Sequence, residues 1–356
     1  MNPRLRRSLR DLLCDLPRDL LRGAPLQWLR DLRREWLLLS IIVVIVLAVG
    51  VRAPVFLTWR NGLDIANDSA ILAILVMGQM LVLLTRGIDL SVASNLALTG
   101  MACALLGRSF ADANIVLLIA VALAVGALLG SLNGWLITGF DLPPIVVTLG
   151  TLTAYRGAIF VASQGASISE QDIHPVIKGL PRQVWLGLPA LVWLALLVLA
   201  LGAVFLKLRQ QGREIYALGG NPQAATYVGI PVLARLRLVY TLSGMLAGLA
   251  GLLWVGRYSI AYTELAAGYE LTVVAACVIG GVSIGGGIGT VAGAALGVLF
   301  IGVVNSALSV IQVSPFWQQA ISGAVILVSV TLNAGVQRRA VRQILQPQAA
   351  DPRGLA

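Results

Sequence analysis

Long apolar stretches separated by short polar ones set the pattern of this chain. Runs of helix-spanning length lie at about 36–51, 65–85, 115–138, 145–162, 184–206, 236–255, 290–310 and 316–332, with shorter apolar pieces at about 92–106 and 271–281. A helix needs roughly 20 residues to cross a bilayer. The apolar positions are continuous within each run rather than alternating, so the pattern predicts helices and not barrel strands. The expected fold is an all-α polytopic membrane protein of about ten transmembrane helices, one of them short or re-entrant.

One polar interruption has a pattern of its own. Residues 216–230 read YALGGNPQAATYVGI. Asn221 suits an N-cap, Pro222 the first turn and Gly229 a stop, which predicts a helix of about two turns. Gly219 and Gly220 permit a sharp turn into it, and Ala224 and Ala225 give it a smooth face. So short a helix is marginal alone. It reads as a knob presented to another protein, or more plainly as an ordinary amphipathic connector.

Composition then narrows the class. The chain is 58% hydrophobic and 12% charged, about half the charged fraction of a soluble domain. The net charge is +10, but the cations cluster in three places: the N-terminal segment, the 207–237 loop, and the tail with Arg338, Arg339 and Arg342. Such clusters mark cytoplasmic loops rather than a nucleic-acid surface. The expected topology puts both termini and the 207–237 loop in the cytoplasm, and the 163–183 and 256–270 loops outside. The division is a basic segment 1–35, a membrane domain 36–335 and a basic tail 336–356. Leu5, Leu9, Leu12, Leu13, Leu16 and Leu20 allow the first segment to lie on the inner membrane face, with a break at Pro17; a disordered extension fits as well. The stretches 125–134 and 292–302 echo each other, VGALLGSLNG and AGAALGVLFIG, which suggests two halves of inverted orientation.

Several chemistries lack their residues. The spans near 115–138, 184–206, 236–255, 290–310 and 316–332 contain no Asp or Glu. An intramembrane carboxylate costs about 2.5–3.5 kcal/mol and is kept where ion coupling needs it. An ion-coupled secondary transporter is therefore the rival class, not the first reading. Cys14, Cys103 and Cys277 have no ligand spacing, so neither a metal site nor a disulfide framework is expected. His174 is the single histidine, and no Walker motif is present. No catalytic residue and no bound cofactor are expected, and any ATP would belong to another chain. Gly280, Gly281, Gly285, Gly286, Gly287 and Gly289 read as a turn between short helices, since no Lys follows them to hold a phosphate.

Four motifs in order carry a resemblance: RGIDLSVAS, LPPIVVTLGTLTAYRG, GREIYALGGNPQAATYVGI and VVAACVIGGVSIGGGIGTVAGAALG. Over about Asn61 to Asn333 the chain closely resembles the permeases of ribose-type carbohydrate ABC importers. It departs at Arg86 and Ala93, where that family usually has Gly. The resemblance implies two permease subunits, like or unlike, two ATPase subunits that hold ATP and Mg, and a soluble sugar-binding protein, all at the bacterial inner membrane. It assigns the ATPase-coupling role to Gly219, Gly220, Asn221, Pro222, Ala224, Ala225 and Gly229. Residues 254–291 and SPFWQQAISG look most like rhamnose-type permeases, with autoinducer-2-type permeases next.

The remaining candidates carry two readings each. Asp89 either caps the following helix or faces the pathway. Asn95, Asn133 and Asn305 either bridge helices or meet sugar hydroxyls along the pathway. Arg257, Tyr258, Tyr262 and Glu264, on the outer 256–270 loop, either receive the binding protein or belong to the interfacial aromatic belt.

Overall fold

In lipid no water satisfies a backbone N–H or C=O, so each apolar run closes its own hydrogen bonds as a helix. The computed structural model describes residues 24–110 and 112–312, with residues 314, 317, 320, 321, 323 and 324 beyond them. Its elements are α1 (Ala24–Arg52), a 3-10 turn (Pro54–Leu57), α2 (Trp59–Leu84), α3 (Val92–Ser109), α4 (Ile115–Gly139), α5 (Pro144–Ser163), α6 (Pro175–Arg182), a two-residue hairpin of β1 (Val184–Trp185) and β2 (Leu188–Pro189), α7 (Ala190–Leu208), α8 (Gln210–Gly220), α9 (Pro222–Tyr227), α10 (Val232–Tyr258), α11 (Tyr269–Ile279) and α12 (Val291–Val310). Among the described residues seven helices are long and apolar enough to cross a membrane. The all-α polytopic expectation holds. Helix α3 is outside that set of seven, and α11 is an apolar helix of 11 residues. Most of the expected last span, 316–332, the tail and residues 1–23 lie outside the described residues.

Side chains fix where several helices begin. Thr58, Asn114 and Thr290 each accept a hydrogen bond from the backbone N–H three residues on, at the starts of α2, α4 and α12. Helix α2 is the axis of the bundle. Every residue from Ser69 to Leu84 is buried, with α10, α12, α7 and α11 packed around it.

Glycine builds several of the helix crossings. Gly126, Gly130 and Gly134 repeat every four residues along one face of α4; the first two meet Gly244 and Gly248 of α10, and Gly134 lies against the Arg237 backbone. A Cβ on Gly126 would strike the Gly244 carbonyl, and one on Gly248 would strike the Ala122 carbonyl. Gly293 and Gly297 of α12 approach Gly280 and Ala276 in the same way. The two stretches that echo in sequence thus each pack backbone against backbone, as small-x-x-x-small faces do in lipid.

Three local expectations change. The apolar run from Val184 starts as a hairpin, because Leu186 (φ 51°) and Gly187 (φ 82°) turn it, and the helix begins only at Ala190. The polar 163–183 loop contains α6, whose N-cap is His174. The residues before the short polar helix form α8, so Gly219 and Gly220 end a helix rather than make a turn.

We expect Gly126→Leu to leave little folded protein in size-exclusion chromatography of the detergent extract. The same change at Gly150, which has open space around it, should be tolerated.

Candidate functional site

The short helix α9 is closed at both ends. Asn221 Oδ1 accepts from Ala224 N at 3.0 Å, and Pro222 fills the first turn. At the far end Gly229 has φ 81°, its N–H donates to Thr226 O, and the Ile230 N–H donates to Ala225 O. This is a Schellman ending. Ala225 is buried against its own chain, whereas Ala224 is exposed. The smooth face expected of both alanines is therefore split between inside and outside. The outward surface belongs instead to Ala224, Tyr227 (89% exposed) and Val228 (76% exposed).

The base of α9 is tied to the span ends by a residue whose role the sequence left open. Helix α2 also ends in a Schellman motif: Arg86 N donates to Leu83 O and Gly87 N donates to Val82 O. Arg86 is the left-handed residue, φ 66°, at the position where glycine is usual. A non-glycine residue there carries roughly 1–2 kcal/mol of strain. Its side chain offsets this. Nε donates to Gly219 O at 2.7 Å and Nη2 to Gly220 O at 2.8 Å. A guanidinium thus satisfies carbonyls at the C-terminus of α8, where a cation is also favoured by the helix dipole.

The glycine-rich turn completes the junction. Gly287 N donates to Leu84 O at 3.0 Å, and Tyr216 OH donates to Gly289 O at 2.8 Å. A Cβ on Gly219 would strike the Leu84 carbonyl, and one on Gly287 would meet the Gly220 backbone. Gly286 and Gly287 have positive φ, 80° and 69°. Three segments distant in sequence therefore share one backbone-to-backbone contact. Glu214 of α8 accepts from Gln210 Nε2 at 2.8 Å and pairs with Arg235 at the start of α10. The Arg235 hydrogen bond holds the Glu214 carboxyl below the usual carboxylate range against the opposing effect of burial.

The profile described as branched-chain amino acid transport system / permease component matches residues 61–330. The chain belongs to this permease family. A probable ABC transporter permease of Sinorhizobium fredii is 36% identical over 85% of this chain and 89% of its own length. The autoinducer 2 import system permease of an Enterobacter strain is 34% identical over 81% and 83%. The ribose import permease of Escherichia coli is 35% identical over 85% and 96%. No solved structure matches.

The permease places its other candidates in two groups. Asp89, Asn95 and Asn133 lie deep in the bundle and bond to neighbouring helices. Asp89 Oδ1 accepts from Ser91 N at 3.0 Å and Ser91 Oγ at 2.6 Å, and Ser243 Oγ lies 3.4 Å from Oδ2. With its amide oriented to satisfy both groups, Gln79 bonds the Asp89 backbone N–H and C=O. Asn133 Nδ2 donates to Ser91 Oγ at 2.8 Å. Asn95 Nδ2 reaches Gly126 O and Gly244 O at the glycine crossing.

Asn305, Arg257 and Tyr258 lie together at the opposite end of the bundle. Arg257 pairs with Asp68 at 2.8 Å. Tyr258 packs on Trp254, and both residues line a cavity with Asn305. Tyr262 and Glu264 are exposed on the neighbouring loop. That loop is anchored by Arg156, which donates to Thr263 O and Leu265 O, and by the Ile168–Ala261 bridge.

Arg86→Gly removes two hydrogen bonds but relaxes the backbone, so the melting temperature in detergent should change little. Amide hydrogen exchange over 217–230 should become at least tenfold faster in a deuterium-exchange measurement. Glu214→Gln should melt lower than the parent at neutral pH. Because the folded carboxyl is held low, its contribution is present above the ordinary carboxylate range and lost as pH falls through the depressed value. The gap in melting temperature should close along that fall.

Proposed function

We propose that the chain is one of two permease subunits in an ATP-driven importer, and that α9 seats in a separate ATPase subunit that carries ATP and Mg. The observation that supports this most is the construction of α9. It is an uncharged helix of 6 residues, capped at both ends, with Tyr227 and Val228 held out to water. Apolar surface so displayed gains roughly 25 cal/mol per Å² when covered, and a rigid knob loses little entropy on docking. The Arg86 and Gly287 contacts join that knob to the ends of α2 and to the turn before α12. A push on α9 then moves span ends as a rigid unit, which is how a two-state pathway is switched.

The basic 207–237 region supports a cytoplasmic position for α9, with both termini on that side also and the 163–183 and 256–270 loops outside. The membrane is the bacterial inner membrane. A second permease subunit, like or unlike, completes the pathway. A soluble binding protein docks at the outer loops, for which Arg257, Tyr258, Tyr262 and Glu264 are the contact candidates. The import names of the relatives support this direction of transport.

The cargo is a monosaccharide, and residues 254–291 with SPFWQQAISG favour a rhamnose-like deoxysugar. Autoinducer 2 is the second reading, favoured by the Enterobacter relative.

Tyr227→Glu places a charge on the face that an ATPase groove would cover. We expect ATP-driven uptake, measured in proteoliposomes with the ATPase and binding protein present, to fall more than tenfold while membrane insertion is unchanged. Sugar accumulation by the chain alone under a proton or sodium gradient would instead establish the ion-coupled class.

A further inference from the structure

We propose that the cavity at the outer end of α2, α10 and α12 is a carbohydrate-holding site, built for a neutral polyol and unsuited to an amino acid. The inference rests on the importer reading above and adds the site and the ligand class. The cavity has a volume of about 330 Å³, at the small end of the range for ligand sites and large enough for one sugar ring. Its wall holds Trp254, Tyr258, Asp64, Asp68, Ser69 and Asn305.

The chemistry of these residues matches two faces of a sugar. A sugar ring presents C–H groups above and below its mean plane and hydroxyls around its edge. Trp254 and Tyr258 supply aromatic surface for the first. Their rings are 5.1 Å apart, and Tyr269 braces Trp254 edge-on at 4.9 Å. The carboxylates and the Asn305 amide supply acceptors and donors for the second.

Two observations point to a ligand rather than to idle polar surface. Ser69 is 5% exposed and its hydroxyl has no hydrogen-bond partner among the described residues. A buried hydroxyl without a partner costs about 1–3 kcal/mol, a deficit that a sugar hydroxyl in this cavity would remove. Asp64 and Asp68 lie four residues apart on one face of α2, where like charges oppose helix formation. Asp68 is balanced by Arg257, and Asp64 has no hydrogen-bond partner or ion-pair partner among the described residues.

Charge then separates the ligand classes. The family takes its description from branched-chain amino acid transport. A zwitterionic cargo needs a cation for its carboxylate. No Lys or Arg is among the described residues in the cavity wall, and Arg257 nearby already serves Asp68. The uncompensated Asp64 carboxylate repels a ligand carboxylate and accepts hydrogen bonds from hydroxyls.

The test uses the full-length chain carrying Cys14→Ser and Ser309→Cys in lipid nanodiscs, with Cys103 and Cys277 buried. Ser309 is an exposed residue of the cavity wall. Labelling by a charged maleimide should be slowed saturably by D-ribose or L-rhamnose in the millimolar range, and not by L-leucine. Added Asp64→Asn or Asn305→Ala should raise the half-protecting sugar concentration about tenfold. Protection by leucine, absence of protection by either sugar, or protection unchanged in both variants would overturn the proposal. If Tyr227→Glu abolishes ATP-driven uptake while these results fail, the importer reading stands and the cavity assignment alone is lost.

Discussion

Close approach of backbone to backbone is the constraint on which this permease depends. In lipid there is little hydrophobic drive between helices, because the surrounding chains are as apolar as leucine. Association must come from contact and from hydrogen bonds. At the α4–α10 crossing Gly126, Gly130, Gly244 and Gly248 let the helices approach until carbonyls and α-carbons touch. Asn95 then bonds carbonyls of both helices at that crossing. A side chain introduced there has nowhere to turn, since the obstructing atoms are backbone and not a flexible end.

The same device recurs at the α9 junction, where the proposed function requires force to be transmitted. Gly219 lies on the Leu84 carbonyl and Gly287 on Gly220. Contacts of this kind are stiff, because no rotamer can absorb a displacement. Arg86 adds direction to the stiffness. It holds the last carbonyls of α8 from a left-handed backbone position that glycine would occupy without strain. A strained residue whose side chain bridges two elements is a reason to treat the substitution as selected geometry. The Glu214–Arg235 pair fixes the other side of α8 to α10, so the short helix hangs from two spans and not from a loose loop.

Much of this was legible in the residues. The spans followed from apolar run length, and both ends of α9 followed from Asn221, Pro222 and Gly229. Local chemistry determines such features, so one sequence suffices. Helix α8 was not legible: Arg213 and Glu214 make its sequence look like loop, and it is helical because Ile215, Leu218 and Gly219 are buried by neighbours. Arg86 was visible only as a departure from a glycine. Its partners are 133 and 134 residues away, and nothing in the intervening sequence announces them. The outer cavity was invisible for the same reason. Asn305 was a candidate, but its proximity to Trp254, Asp64 and Ser69 is a product of packing α2 against α10 and α12.

The two ends of the molecule are built on opposite principles, and the difference fits an importer whose selectivity lies in another protein. The α9 junction is made of backbone contacts, caps and charge-assisted bonds, so it resists deformation. The outer cavity is lined by side chains, and its Asp68 and Arg257 are partly exposed. Side chains around water can hold a sugar only weakly, because each hydrogen bond replaces one to water and nets about 1 kcal/mol. Weak holding suits the proposed pathway, since release of a tightly bound sugar would draw on the same ATP cycle that is proposed to move α9. A stiff lever acting on a lightly loaded site spends its stroke on motion of the gate and not on release of the cargo.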